Sequence, residues 1–182
     1  MAVSRALRDD LLASIPNLRA FAVSLTGSSE RADDLVQETL MKAWAKFHTF
    51  QEGTNLRAWL FTILRNEFYS QLRKRGREVE DVEGAYTARL ATLPAHAGHM
   101  DLHDFRRALA ELPPDQREAL ILVGASGFSY EEAAEICRCA VGTIKSRVSR
   151  ARTRLAEILK LEEGETYGGD PLSTSVISRT IA

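Results

Sequence analysis

Apolar residues recur three or four positions apart through almost the whole chain, and no stretch sustains the period-two alternation of a half-buried strand. That regularity confines the chain to an all-α fold. From Ala32, residues Leu35, Val36, Leu40, Ala43, Trp44 and Phe47 mark one face of a long helix. Gly27 ends the segment before it. Ser28 or Ser29 can cap the new helix, with Glu30 favourable near its positive end. After HTFQEGTN, Thr54 or Asn55 caps a second long helix, LRAWLFTILRNEFYSQLRKR. Its first half is apolar on most sides (Leu56, Trp59, Leu60, Phe61, Ile63, Leu64), as expected of the central helix of a small bundle with Trp59 in the core. An N-terminal helix pair over roughly residues 6–26 completes a first domain, expected to be residues 1–76.

Periodicity fades over residues 77–100, where Gly, Pro, Ala and acids dominate, and this stretch reads as a linker. Helical spacing returns in a second domain, expected to be residues 101–161: DLHDFRRALAEL, PPDQREALILVGAS, SYEEAAEIC and VGTIKSRVSRARTRL. Pro113 and Pro114 restart the chain where proline suits a helix start. Residues 162–182 are small, polar and glycine-containing, the composition of a disordered tail.

The formal net charge is only −1, but it is segregated. Residues 141–160 carry a net +5 through Lys145, Arg147, Arg150, Arg152, Arg154 and Lys160 against Glu157. Residues 65–77 form a second basic segment, with Arg65, Arg73, Lys74, Arg75 and Arg77 against Glu67. Basic patches on an otherwise acidic chain imply a polyanionic partner at the patches and a different partner elsewhere.

The arrangement around the first basic segment is specific. Ser129 can cap a short helix with Glu131 and Glu132 in its first turn, and Ala133 and Ala134 permit close helix packing. RCAV has the length of the turn in a helix-turn-helix. In the helix that follows, Ile144, Val148, Ala151, Leu155 and Ile158 form the core stripe, while Thr143, Ser146, Arg147, Arg150 and Arg154 fall on the other side. One apolar and one basic, hydroxyl-rich stripe is the pattern of a recognition helix in the major groove.

With those residues in view, EEAAEICRCAVGTIKSRVSRAR resembles region 4 of an extracytoplasmic-function (group 4) sigma factor. DDLVQETLMKAWAKFHTF and LRAWLFTILRNEFYSQLRKR resemble region 2 of the same family. LPPDQREALILVGASGFSYEEAAEIC is similar to the EcfG-type general-stress-response sigma factors of alphaproteobacteria. The resemblance covers roughly residues 8–160. It implies a non-enzymatic promoter-specificity subunit of bacterial RNA polymerase that needs no cofactor. Asp34, Gln37, Glu38 and Met41 match the positions that bind the clamp coiled coil of core polymerase, and they are expected opposite an apolar side of Leu35, Val36, Leu40 and Trp44. Phe50 to Asn55 matches the loop that captures a flipped-out base of the −10 element, with Phe50 as a candidate wall. Asn66 and Ser70 match −10 base contacts, and Arg65, Arg73 and Arg75 can hold phosphate. For the −35 element, Lys145, Ser146, Ser149 and Arg150 face the bases, with Thr143 and Arg147 nearer the backbone. The EcfG resemblance implies a −35 element like GGAAC and a −10 element like CGTT. It also implies a monomer that partners the polymerase clamp and flap, promoter DNA and an anti-sigma factor.

One departure is local. The family usually has glycine in the helix-turn-helix turn, where this chain has Arg138, so the turn is either strained in a left-handed conformation or differs in shape. Cys137 reads as a small buried hydrophobe, and two cysteines this close fit a reducing compartment. His96, His99 and His103 lack the scaffold of a metal site, so no metal is expected. A charged N-terminus and the lack of a long apolar run predict a cytoplasmic protein with no membrane association. The competing reading is a sigma-like mimic that sequesters an anti-sigma factor without binding DNA, which would require a degraded basic stripe.

Overall fold

The computed structural model describes residues 5–51, 53–80 and 100–159, and every regular element among them is helical. Residues 81–99 of the expected linker and the expected tail lie outside the described residues. The chain divides into two compact units between Ala91 and Thr92.

The first unit holds α1 (Arg5–Thr26), α2 (Ser29–Ala45), a short 3-10 turn (Phe47–Thr49) and α3 (Leu56–Glu80). Its three helices pack on one another around Leu18, Phe21, Ala22, Leu35, Leu60, Phe61 and Leu64, all fully buried. Phe21 and Phe61 stack with centroids 5.0 Å apart. Gly27 ends α1 in the left-handed conformation (φ 68°), and its N–H donates to the Val23 carbonyl at 2.9 Å. Ser28 then caps α2, its hydroxyl accepting from the Arg31 N–H. Asn55, rather than Thr54, caps α3, its side-chain oxygen accepting from the Ala58 N–H at 3.0 Å.

Three expectations for this unit need correction. The N-terminal helix pair is one helix, α1, running through Pro16. Proline removes one backbone donor and strains the turn before it, and the buried residues beyond it hold the helix together. Trp44 does not point inward with Leu35 and Val36; it is 58% exposed. Trp59 is half-buried rather than in the core. In addition, α3 runs past residue 76 to Glu80. Gly76 costs about 1 kcal/mol against alanine there, which lowers helix stability without ending the helix.

The second unit holds α4 (Met100–Ala110), α5 (Pro114–Leu120), α6 (Tyr130–Cys137) and α7 (Val141–Leu159). Pro114 opens α5. Beyond Leu120 the backbone widens into a π-helical turn over Ile121–Ala125, closed by the Ser126 N–H on the Ile121 carbonyl at 2.8 Å. The core is built from Phe105, Leu120, Leu122, Ile136, Ile144, Val148 and Leu155.

Candidate nucleic-acid interface

Helix α6 begins with a reciprocal capping box. Ser129 Oγ accepts from the Glu132 N–H at 3.0 Å, and the Ser129 N–H donates to Glu132 Oε2 at 2.8 Å. Its far end turns through Arg138, at φ 53° and ψ 50°. This is the left-handed conformation, so the strained alternative is the one adopted, at a cost of roughly 1 kcal/mol. The Cys139 N–H donates to the Ala134 carbonyl at 3.0 Å, which closes the turn. Helix α7 follows after Ala140, whose carbonyl accepts from the N–H groups of Thr143 and Ile144.

Helix α7 is seated by Ile144, Val148, Ala151 and Leu155, none more than 1% exposed. Ile158, expected in the same stripe, is half-buried near the helix end. Opposite that floor, Lys145, Ser149, Arg150 and Arg154 are exposed and Thr143 and Ser146 half-buried. Arg150 donates through Nη2 to Ser146 Oγ at 3.3 Å, and Ser146 donates to the Thr143 carbonyl at 2.9 Å. The two contacts orient hydroxyl and guanidinium on one face. Lys145 Nζ lies 5.8 Å from the Tyr130 ring centroid, within cation–π range, so α6 steadies an α7 cation. This face offers forked and single-point donors suited to guanine O6 and N7 or to phosphate oxygen.

Two arginines of the basic stretch behave differently. Arg147 Nε pairs with Asp115 of α5 at 3.0 Å, and its Nη1 lies 3.9 Å from Cys139 Sγ. Arg147 therefore ties α7 to α5 and to the turn. Arg152 is only 8% exposed and belongs to the interior. Both border the apolar stripe, three residues after Ile144 and four after Val148 respectively. Their spacing carried this signal, which a count of charges hides.

In the first unit, α3 places Arg65, Asn66, Ser70 and Arg73 away from its buried side; Ser70 and Arg73 are exposed, Arg65 and Asn66 half-buried. Arg75 is half-buried. Glu67, the acid among these bases, faces α2. It accepts a hydrogen bond from Lys42 and, at 3.1 Å, one from Gln71. Burial pushes its pKa up, but the Lys42 and Gln71 hydrogen bonds and the Lys42 charge outweigh burial and hold the carboxyl below its ordinary range. Phe50, at the start of the candidate base-capturing loop, is half-buried in a triad with Phe47 and Trp59, at centroid distances of 5.3–6.2 Å. Glu52 of that loop lies outside the described residues.

The outer face of α2 brings together Asp34, Gln37, Glu38 and Met41, all exposed. Met41 is 68% exposed and Trp44 58%, so this acidic face has an apolar centre. Sequence reading left Trp44 out of it, although Gln37, Met41 and Trp44 follow at i, i+4 and i+7, a helical face. Asp33, beside it, pairs with Arg19 of α1 at 2.6 Å; that hydrogen bond lowers the carboxyl's pKa.

Among the described residues no cluster of three His, Cys, Asp or Glu side chains is placed to hold a metal; His96, His99 and the side chain of His103 lie outside them. No described helix is long and apolar enough to cross a membrane.

Comparison with known proteins agrees with both units. The family described as Sigma-70 region 2 matches residues 12–78, and Sigma-70, region 4 matches residues 102–155. The chain is 59% identical over 177 residues to the ECF RNA polymerase sigma factor EcfG of Rhodopseudomonas palustris, covering 97% of this chain and 98% of that protein. It is 40% identical over 125 residues to the ECF RNA polymerase sigma factor SigC of Mycobacterium tuberculosis, covering 68% of each. Among solved structures it is similar to the sigma factor RpoE of Bartonella quintana, crystallised in complex with the anti-sigma factor NepR. The TM-score is 0.81 and the identity 62%, over 87% of this chain and 99% of that one. Two matched regions in order, and a relative 59% identical over nearly the whole chain, lead to one conclusion: the chain belongs to the extracytoplasmic-function sigma factors of bacterial RNA polymerase, of the EcfG type.

Proposed function

We propose that this sigma factor directs core polymerase to general-stress promoters, reading a GGAAC-like −35 element with α7 and a CGTT-like −10 element with α3 and the loop before it. The observation that carries this reading is the outward stripe of α7, where Lys145, Ser149 and Arg150 stand exposed over a buried floor of Ile144, Val148 and Ala151. Arg150, Lys145, Ser146 and Ser149 read bases and Thr143 meets the phosphate backbone, while Arg147, paired with Asp115, holds α7 in its seat. On α3, Asn66 and Ser70 read the −10 bases and Arg65 and Arg73 hold phosphate, with Phe50 walling the base pocket. The α2 face of Asp34, Gln37, Glu38 and Met41, to which Trp44 is added, docks the clamp coiled coil; region 4 meets the flap. Release from an anti-sigma factor controls the protein, by analogy with the relative bound to NepR. The protein acts in the cytoplasm, as a monomer when free.

The test is in vitro transcription with purified core polymerase on a promoter panel. Initiation confined to GGAAC/CGTT-type promoters is expected. A failure to initiate on any of them, with binding to the anti-sigma factor intact, would favour the sigma-like mimic instead.

A further inference from the structure

Helix α3 carries an aromatic ring, Tyr69, that none of the assigned contacts uses. The Arg65 guanidinium carbon lies 4.7 Å from the centroid of the Tyr69 ring, one helical turn away, which makes a cation–π stack. Tyr69 also meets Phe68 edge-on, with centroids 5.3 Å apart and an interplanar angle of 73°. Phe68 is 7% exposed, so the Tyr69 ring is braced from inside while remaining half-exposed itself. Arg65, Tyr69 and Arg73 follow at i, i+4 and i+8, on the side of α3 opposite Leu60 and Leu64. The nearby acid, Glu67, is turned toward Lys42 and Gln71 and brings no uncompensated negative charge to this face.

A flat ring braced by Phe68 and Arg65, with a second cation, Arg73, about 6 Å further along the helix axis, is what a strand of unpaired nucleotides requires: a π-surface for a base and positive charge for the flanking phosphates. Duplex DNA keeps its base faces stacked on one another and offers nothing to such a ring. We infer that Arg65 and Tyr69 form a stacking platform for one unpaired nucleobase of the melted strand. The inference rests on the reading that the outer face of α3 takes the single-stranded −10 element, and it adds to that reading a subsite recognising the face of a base rather than its edge. A stacking platform tolerates any base, so this subsite contributes to holding the strand open and not to sequence choice.

The experiment measures binding of holoenzyme, assembled from core polymerase and the full chain, to fork-junction DNA whose non-template strand is unpaired through the −10 element. Tyr69→Leu is expected to weaken binding about tenfold, with Tyr69→Trp restoring it. Because stacking carries no charge, Tyr69→Leu leaves the salt dependence unchanged, whereas Arg73→Ala reduces its slope by about 0.7. Placing abasic sites one at a time identifies the stacked nucleotide: one position costs wild-type binding but costs Tyr69→Leu nothing further. If Tyr69→Leu binds the fork like wild type while Asn66→Ala and Arg73→Ala weaken it, the platform is wrong and the reading of α3 stands. If all three bind like wild type, the reading of α3 falls and the platform with it. If Tyr69→Leu responds to every abasic position as wild type does, or loses core polymerase in proportion, Tyr69 is a folding residue and the inference is overturned.

Discussion

Helices α3 and α7 both combine an apolar side with a cluster of cations, yet they divide the two differently. Helix α7 divides around its circumference: Ile144, Val148, Ala151 and Leu155 below, Lys145, Ser149 and Arg150 above. Helix α3 divides along its length: Leu56, Leu60, Phe61 and Leu64 fill the bundle, and the cations come mainly after Phe68. A continuous stripe suits a rod-like groove, because every turn of the helix must present a contact at the same height. A helix whose end leaves the bundle suits a strand that has already lost its partner, since an unpaired strand can follow a local surface. The difference shows that basic content alone says little about the form of nucleic acid; the placement of the buried residues says more.

The largest expected effect removes the floor of the stripe. Ile144→Ala, at a fully buried position, should cost about 2–5 kcal/mol in the unfolding of the second unit. Urea denaturation followed by circular dichroism checks it, and a loss under 1 kcal/mol would mean the floor is not what seats α7. Next in size, Arg150→Ala should cut transcription from a GGAAC-type promoter by roughly 5- to 150-fold, a loss of about 1–3 kcal/mol at one base pair, with core polymerase binding retained. Unchanged transcription would remove Arg150 from base reading and blur the contrast with α3.

Glu67 tests the other helix. Because its folded-state pKa is depressed, its contribution to stability is fully present above the ordinary glutamate value and fades as pH falls through the folded value. Glu67→Gln should therefore cost about 1 kcal/mol near neutrality, and the gap from wild type should close in acid. Melting curves at pH 7 and in acid decide this; a gap that is constant across pH would show that the Lys42–Glu67 pair does not anchor α3 to α2. The smallest effect is at the turn. Arg138→Gly should stabilise the second unit by up to about 1 kcal/mol, since glycine adopts the left-handed conformation without the Cβ clash. A destabilised variant would mean that the Arg138 side chain makes up for its own strain.

Much of this was legible in the sequence because helices announce themselves by spacing. The α2, α3 and α6 caps were readable from side chains that accept backbone N–H groups, and the helix-turn-helix from its turn length and two-sided second helix. Apart from α1 running unbroken through Pro16 and α3 running past Gly76, what escaped was residues at the border between faces. Trp44 is large and apolar, so hydrophobicity assigned it to the core, while its angular position beside Met41 put it outside. Arg147 and Arg152 are charged, so charge assigned them to the surface, while their places beside Ile144 and Val148 drew them inward. Tyr69 carries no strong label of either kind, and its role becomes visible only when Arg65 is seen lying over it.

The continuity of α1 through Pro16 has a consequence for how this helix breathes. Proline offers no amide to the Leu12 carbonyl, so one link of the ladder is missing between the two halves of the helix. Of the described side chains before Pro16 only Ser14 is buried, whereas Leu18, Phe21 and Ala22 beyond it are fully enclosed. Amide hydrogen exchange should therefore split the helix at that point. Amides ahead of the proline should exchange through local fraying, while those around Phe21 should wait for the bundle itself to open. One helix in geometry is thus two segments in free energy, and the first can peel away while the three-helix core stays folded.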